Sequence, residues 1–267
     1  MPNLPAYDLV LGTADDVRPP TPAALWAGWA GPAGPAIDPA TWPRSPRTGQ
    51  PLVHDATVAL PESYRRARPD LVAVAIFDWA DEGGFLPAPA HLAAALRGDR
   101  SGVEHPDDPF WADVDAARPH PQAVLACDRD TGAFYAAVWL TQDELTGPRT
   151  PRPRQGAQLD EDEPGMQADE RTRLGLMGEL WAVERVGDPH AGTAPDDSLW
   201  DPEDDEPEVD ERFSHNHLGG TFMDPNGVGR RAPSPWYLEI HRLGGLWVGD
   251  DENLVLDLDD PRLFALR

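Results

Sequence analysis

Apolar and polar positions alternate along much of this chain, and the few unbroken apolar runs are short. Leu71-Val-Ala-Val-Ala-Ile-Phe is one such run and predicts a strand buried on both faces. Leu52-Val-His-Asp-Ala-Thr-Val-Ala-Leu alternates, predicting a strand that ends at Pro61. Ala123-Val-Leu-Ala-Cys and Ala133-Phe-Tyr-Ala-Ala-Val-Trp-Leu flank Asp128-Arg-Asp-Thr-Gly, which predicts a hairpin with Gly132 at a positive φ. Trp236-Tyr-Leu-Glu-Ile-His and Asn253-Leu-Val-Leu-Asp-Leu-Asp also alternate, as antiparallel strands with one wet face do. The segments from Phe213 to Leu258 have a fainter echo near the N-terminus, which points to two related halves.

Helical patterns are fewer. Thr21-Pro-Ala-Ala-Leu-Trp-Ala-Gly-Trp predicts a short helix with Thr21 as N-cap and Pro22 in first position, ended by Gly28 or Gly31. Ala88 to Arg97 predicts another, stopped by Gly98. Between Asp169 and Val186, the residues Leu174, Met177, Leu180 and Trp181 share one helical face, with Val183 at its edge. The expected fold class is therefore α+β, in two similar halves of twisted antiparallel sheet with short helices and an acidic insertion. The halves are 1–146 and 173–267, joined by a Pro-rich, acidic linker at 147–172, and form one composite domain.

Composition sharpens this picture. The 31 prolines among 267 residues are about double the usual share, so elements should be short and loops long. The net charge is −25, and all 22 basic residues are Arg. Without Lys there is no Walker A phosphate loop, no Schiff-base lysine and no kinase-type lysine. Residues 160–211 alone hold 19 acidic and 3 basic side chains. Such a surface repels phosphates, which excludes nucleic acid as a partner, and it attracts a basic protein or a metal cation.

The single cysteine, Cys127, permits no internal disulfide and no Cys-based zinc knuckle, and its apolar surroundings predict an inert core residue. No apolar run approaches membrane-spanning length, and the N-terminus lacks a basic segment followed by an apolar one. The expectation is a cytoplasmic protein with no membrane partner.

The candidate chemistry lies near the C-terminus. His215 and His217 are spaced i, i+2, so on a strand both rings point to one side, and Glu239 and His241 share that spacing on the next strand. Pairing in register would converge three imidazoles and a carboxylate, a set suited to zinc or iron. The alternative is ordinary histidines, core-satisfied or facing solvent. No catalytic residues and no other cofactor are indicated: there is no Gly-x-Ser-x-Gly elbow, and Gly219-Gly220 and Gly244-Gly245 fit no phosphate loop. Trp26, Trp29 and Trp42 near loops, with Asp250 and Asp251 in an acidic run, are candidate partner-contacting residues.

Trp26-Ala-Gly-Trp-Ala-Gly-Pro followed by Trp42-Pro-Arg-Ser-Pro-Arg-Thr-Gly-Gln-Pro-Leu-Val resembles the first half of YwqG-like bacterial proteins. Leu218-Gly-Gly, Tyr237-Leu-Glu-Ile, Gly249-Asp250 and Leu254-Val-Leu resemble the second. These segments cover about a third of the chain. Some relatives carry Cys-x-x-Cys in the Trp-Pro turn where Ser45 and Thr48 stand here, so the resemblance implies no metal at that turn. It implies a duplicated α+β domain and a binding role of the kind played by acidic immunity proteins, but it carries over no catalytic residues.

Two functions follow as expectations. The first is a non-enzymatic acidic protein that binds a basic protein partner, in an immunity-like role. The second is a metal-binding protein or metal-dependent hydrolase centred on His215, His217, Glu239 and His241. A small-ligand binder with a Trp-lined pocket between the halves is a third possibility.

Overall fold

Eleven short strands dominate the structure: β1 (Tyr7–Leu11), β2 (Leu25–Ala30), β3 (Val53–Ala59), β4 (Leu71–Trp79), β5 (Ala123–Cys127), β6 (Phe134–Thr141), β7 (Gly178–Glu184), β8 (His217–Leu218), β9 (Tyr237–Ile240), β10 (Asn253–Asp257) and β11 (Arg262–Leu266). Three short helices accompany them: α1 (Ala90–Leu96), α2 (Pro109–Ala116) and α3 (Gln142–Thr146). The computed structural model describes residues 4–12, 19–79, 90–127, 133–156, 177–195, 216–222, 233–241, 243–244, 246 and 253–266.

All the described strands join one antiparallel sheet in the order β11-β10-β9-β8-β1-β7-β2-β3-β4-β6-β5. The sheet curls until its edge strands β11 and β5 come within 8 Å, Cα to Cα. Every strand from β1 to β10 gives side chains to one large core cluster, among them Leu9, Val58, Ile76, Trp139, Leu180, Leu238 and Leu256, which places that cluster on the concave side. The opposite face of β4 and β6 carries a second cluster with Trp42, Leu52, Phe77, Val138 and Leu145. A third, small cluster seats α1 and α2 through Leu92, Ala95, Phe110 and Trp111. The unbroken apolar run at Leu71 is buried on both faces for this reason: Val74 and Ile76 face the first cluster, and Ala75 and Phe77 face the second.

The antiparallel sheet with few short helices agrees with the α+β expectation. The halves are interleaved, however: β7, from the second half, lies between β1 and β2 of the first. The basic segment 147–156 is tied down rather than free. Gly34 and Thr150 exchange backbone hydrogen bonds of 2.9 Å, and Gly156 N donates to Gln50 Oε1 at 3.2 Å.

Two expected helices are strands. In the 169–186 segment the described part, Gly178–Glu184, is β7, paired with β1 on one side and β2 on the other. Leu180 and Ala182 face the concave core, so Glu179, Trp181 and Val183 face outward; the same residues fit a period of two. Pairing along both edges satisfies the backbone and overrides a marginal local helix. At 21–29 the chain enters β2, because Gly28 adopts φ +111°, and a Cβ there would fall 1.9 Å from the Thr57 carbonyl oxygen.

The strands expected at 52–60, 71–77, 236–241 and 253–259, the helix ended by Gly98 and the two arms of the 123–140 hairpin all form, but β9 and β10 are buried on both faces where one wet face was expected. The Gly132 turn lies outside the described residues. Cys127 is exposed on the outer face of the edge strand β5, rather than buried in the core as its apolar surroundings predict.

Candidate functional site

Two places gather the residues singled out from the sequence. The first is the convex face of β8, β9 and β10. Leu218, Leu238, Ile240, Leu254 and Leu256 face the concave core, so strand alternation turns His217, Tyr237, Glu239 and Asn253 the other way. His217 and Glu239 stand directly opposite in the β8–β9 register. His217 Nε2 lies 3.1 Å from Glu239 Oε2, and both side chains are wholly buried. Asn253 Nδ2 donates to Glu239 Oε1 at 2.9 Å, and Asn253 Oδ1 lies 2.9 Å from His241 Nδ1. His241 is exposed, and its backbone N–H donates to Asn216 Oδ1.

The predicted residues His217, Glu239 and His241 thus meet, but as a string that runs from the interior to the surface. Asn253 separates Glu239 from His241, and among the described residues no three His, Cys, Asp or Glu groups are placed to hold a metal ion. His215 lies outside the described residues. Asn253, which sequence reasoning passed over, is the link that joins the string. Its signal was faint: an amide at the start of an otherwise apolar strand.

Burial extends around the string. The Tyr237 ring meets His217 edge-on at 5.7 Å, and its hydroxyl donates to Gly220 O at 2.8 Å. Burial, reinforced by the Glu239 charge, pushes the Tyr237 phenol well above its ordinary value. Next to it the buried Arg185 reaches Asp8, Asp188 and the Thr221 carbonyl, and both Thr221 donors bind Asp188 at 2.9 Å. These contacts tie β1, β7 and the loop after β8 into one frame.

The second place is the convex face of β1, β7 and β2. Trp181 stands opposite Val10 on β1 and opposite Trp26 on β2, giving an apolar row across three strands. Trp26 is 43% exposed and its neighbour Leu25 53% exposed. Leu25 stands opposite Ala182 and Trp26 opposite Trp181, so the two lie on opposite faces of β2, and a bulge shifts the register between Trp26 and Gly28. Trp26 is nevertheless held, since its Nε1–H donates to Glu179 Oε2 at 2.7 Å. Arg149 donates to Glu179 Oε1 at 2.7 Å and stacks its guanidinium 4.3 Å from the Trp29 ring centroid. Burial raises the Glu179 carboxyl, but the bonds from Trp26 and Arg149 outweigh it and hold the group below its usual range.

The predicted aromatic set therefore separates. Trp26 is exposed, whereas Trp29 is buried beneath Arg149 with its Nε1 donating to Ala33 O. Trp42 is a core residue, its Nε1 donating to Leu52 O at 2.9 Å and its ring edge-on to Phe77. Asp250 and Asp251 lie outside the described residues. Glu179 and Arg149 were missed because nothing in the sequence joins a strand carboxylate to an arginine thirty residues earlier.

Compared with protein-family models, with characterised proteins and with solved structures, the chain finds no match. Among the described residues no helix is long and apolar enough to cross a membrane.

Proposed function

We propose that this chain is a non-enzymatic binding protein that meets a basic protein partner through the convex face centred on Trp26. The observation that carries the reading is an exposed indole held in a fixed orientation by Glu179, with Trp181 opposite it on the same face. Pre-oriented exposed aromatics are the usual energetic centres of protein interfaces. The net charge of −25 supports a basic partner, since it raises the rate at which a positively charged surface is captured. The likeness to YwqG-like proteins, with its duplicated halves and immunity-like binding, belongs to this proposal.

The test is affinity capture on the purified full chain, wild type against Trp26→Ala, followed by a binding measurement with the captured protein purified. A basic protein that the wild type retains and the variant loses, with affinity falling as salt is raised, supports the proposal. Equal retention by both overturns it.

The metal centre expected at His215, His217, Glu239 and His241 is the weaker reading, since Asn253 stands between Glu239 and His241 and no three candidate ligands converge among the described residues. Elemental analysis of the purified chain tests it directly.

A further inference from the structure

The fold has a repeated habit of seating guanidinium groups on aromatic rings. Arg66 lies 4.2 Å from the Trp236 ring centroid, Arg100 4.6 Å from Trp111, Arg149 4.3 Å from Trp29, and Arg44 6.0 Å from Phe110. In the Arg149 case the cation also rests on Glu179, so ring and carboxylate together make the seat.

Trp26 repeats half of this arrangement and leaves the other half open. Its Nε1–H donates to the other oxygen of the same Glu179 carboxylate. A hydrogen bond from an indole N–H to an ionised carboxylate pushes electron density onto the ring, which strengthens its attraction for a cation over the face. Unlike Trp29, Trp26 presents its ring to solvent. Among the described residues it is the exposed aromatic side chain, and the apolar groups in its cross-strand row are Trp181 and Val10.

Resting on the binding reading above, we infer that the open face of Trp26 is a seat for an arginine side chain of the partner, with Trp181 and Val10 receiving the apolar residue next to it. The occupant follows from charge complementarity. The ring is polarised by a carboxylate, the chain carries −25, and its own arginines show the geometry. Arginine suits the seat better than lysine because its planar guanidinium stacks flat on an indole and gives up hydration more readily. The seat recognises a short exposed segment in which arginine alternates with an aliphatic residue.

The experiment uses the full chain labelled with ¹⁵N, with the probe acetyl-Arg-Leu-Arg-Leu-Arg-amide and a control peptide carrying citrulline at each arginine. The readout is the set of tryptophan indole N–H signals, with that of Trp26 assigned by its loss in Trp26→Leu. The expected result is a saturable shift of the Trp26 signal with the arginine peptide and none with the citrulline peptide. Glu179→Gln keeps an acceptor for Trp26 but removes the charge, and it should weaken the midpoint at least threefold. Trp26→Leu, followed through other indole signals, should weaken it at least as much. A shift of equal size with citrulline, or unchanged arginine-peptide binding by both variants, overturns the inference. If the captured partner still depends on Trp26 but tolerates replacement of its arginines by glutamine, the arginine seat fails and the binding surface stands. If capture ignores Trp26, the binding surface itself fails.

Discussion

Trp26 donates its indole N–H to Glu179 at 2.7 Å across 153 residues of sequence. The bond joins adjacent strands, β2 and β7, and makes an exposed side chain behave as a fixed one. Because Glu179 also holds Arg149, one carboxylate sets both an exposed ring and a buried ring with its cation.

This relationship has a pH signature. The Glu179 carboxyl is held below its usual range, so its contribution to stability is present above the unfolded value of about 4.3 and is lost as pH falls through the lower folded value. The Trp26 indole signal should therefore stay constant from neutral pH through the ordinary glutamate range and move only below it. A shift centred in the ordinary range would show that the bond is not made. The ion pair with Arg149 is partly exposed and should be worth no more than about 1 kcal/mol.

Gly28 is the position on which the exposure of Trp26 depends. With φ +111° and a prospective Cβ 1.9 Å from Thr57 O, Gly28→Ala should destabilise the fold by more than about 1 kcal/mol and disturb the bulge. Thermal unfolding measures the first effect, and the Trp26 indole signal reads the second. An unchanged melting temperature would rule out this backbone geometry.

The His217–Glu239 pair is wholly buried, so removing one partner is costlier than removing both. His217→Ala should cost about 1–3 kcal/mol, because the buried Glu239 carboxylate then loses the imidazole beside its Oε2. The double variant His217→Phe/Glu239→Leu should recover much of that loss, as an apolar replacement of a buried pair does. Chemical denaturation of the wild type, His217→Phe, Glu239→Leu and the double variant forms the cycle, and additive costs would show that the two side chains do not interact.

The same string makes a prediction about metal. With Asn253 between Glu239 and His241, the purified chain should carry no stoichiometric zinc or iron. Stoichiometric metal that disappears in a His215→Ala/His217→Ala variant would restore the metal reading.

The helix α3 starts at a capping box in which Thr141 Oγ1 accepts from Glu144 N, and Glu144 Oε2 accepts from both Thr141 donors. His120 Nε2 lies 3.1 Å from the other Glu144 oxygen. Burial works against the Glu144 charge, but these bonds prevail and lower its pKa. Thr141→Ala should cost about 1 kcal/mol in thermal or denaturant unfolding. A loss below a few tenths would mean the cap is not formed in solution.

The sequence by itself determined the strands whose pattern admits one period. The apolar run at Leu71, the arms of the 123–140 hairpin and the alternation at Trp236 and Asn253 could bury their apolar residues in no other way. It also offered His217 and Glu239 as residues of neighbouring strands, but the register that sets them opposite came from the pairing of β8 with β9. The α3 cap, Thr141 followed three residues later by Glu144, is likewise a local signature, one that sequence reasoning did not name.

Tertiary structure decided the rest. The residues Leu180, Trp181 and Val183 fit a helical stripe and a strand alike, and only the edges offered by β1 and β2 made β7 a strand. The placing of β7 between β1 and β2 brought Glu179 beneath Trp26, set Arg149 on Trp29 and sent Trp42 into the core. Local pattern says which faces a segment can bury. Which backbone lies beside it is decided when distant strands compete for the same unpaired edge, and the candidate site was made by that competition.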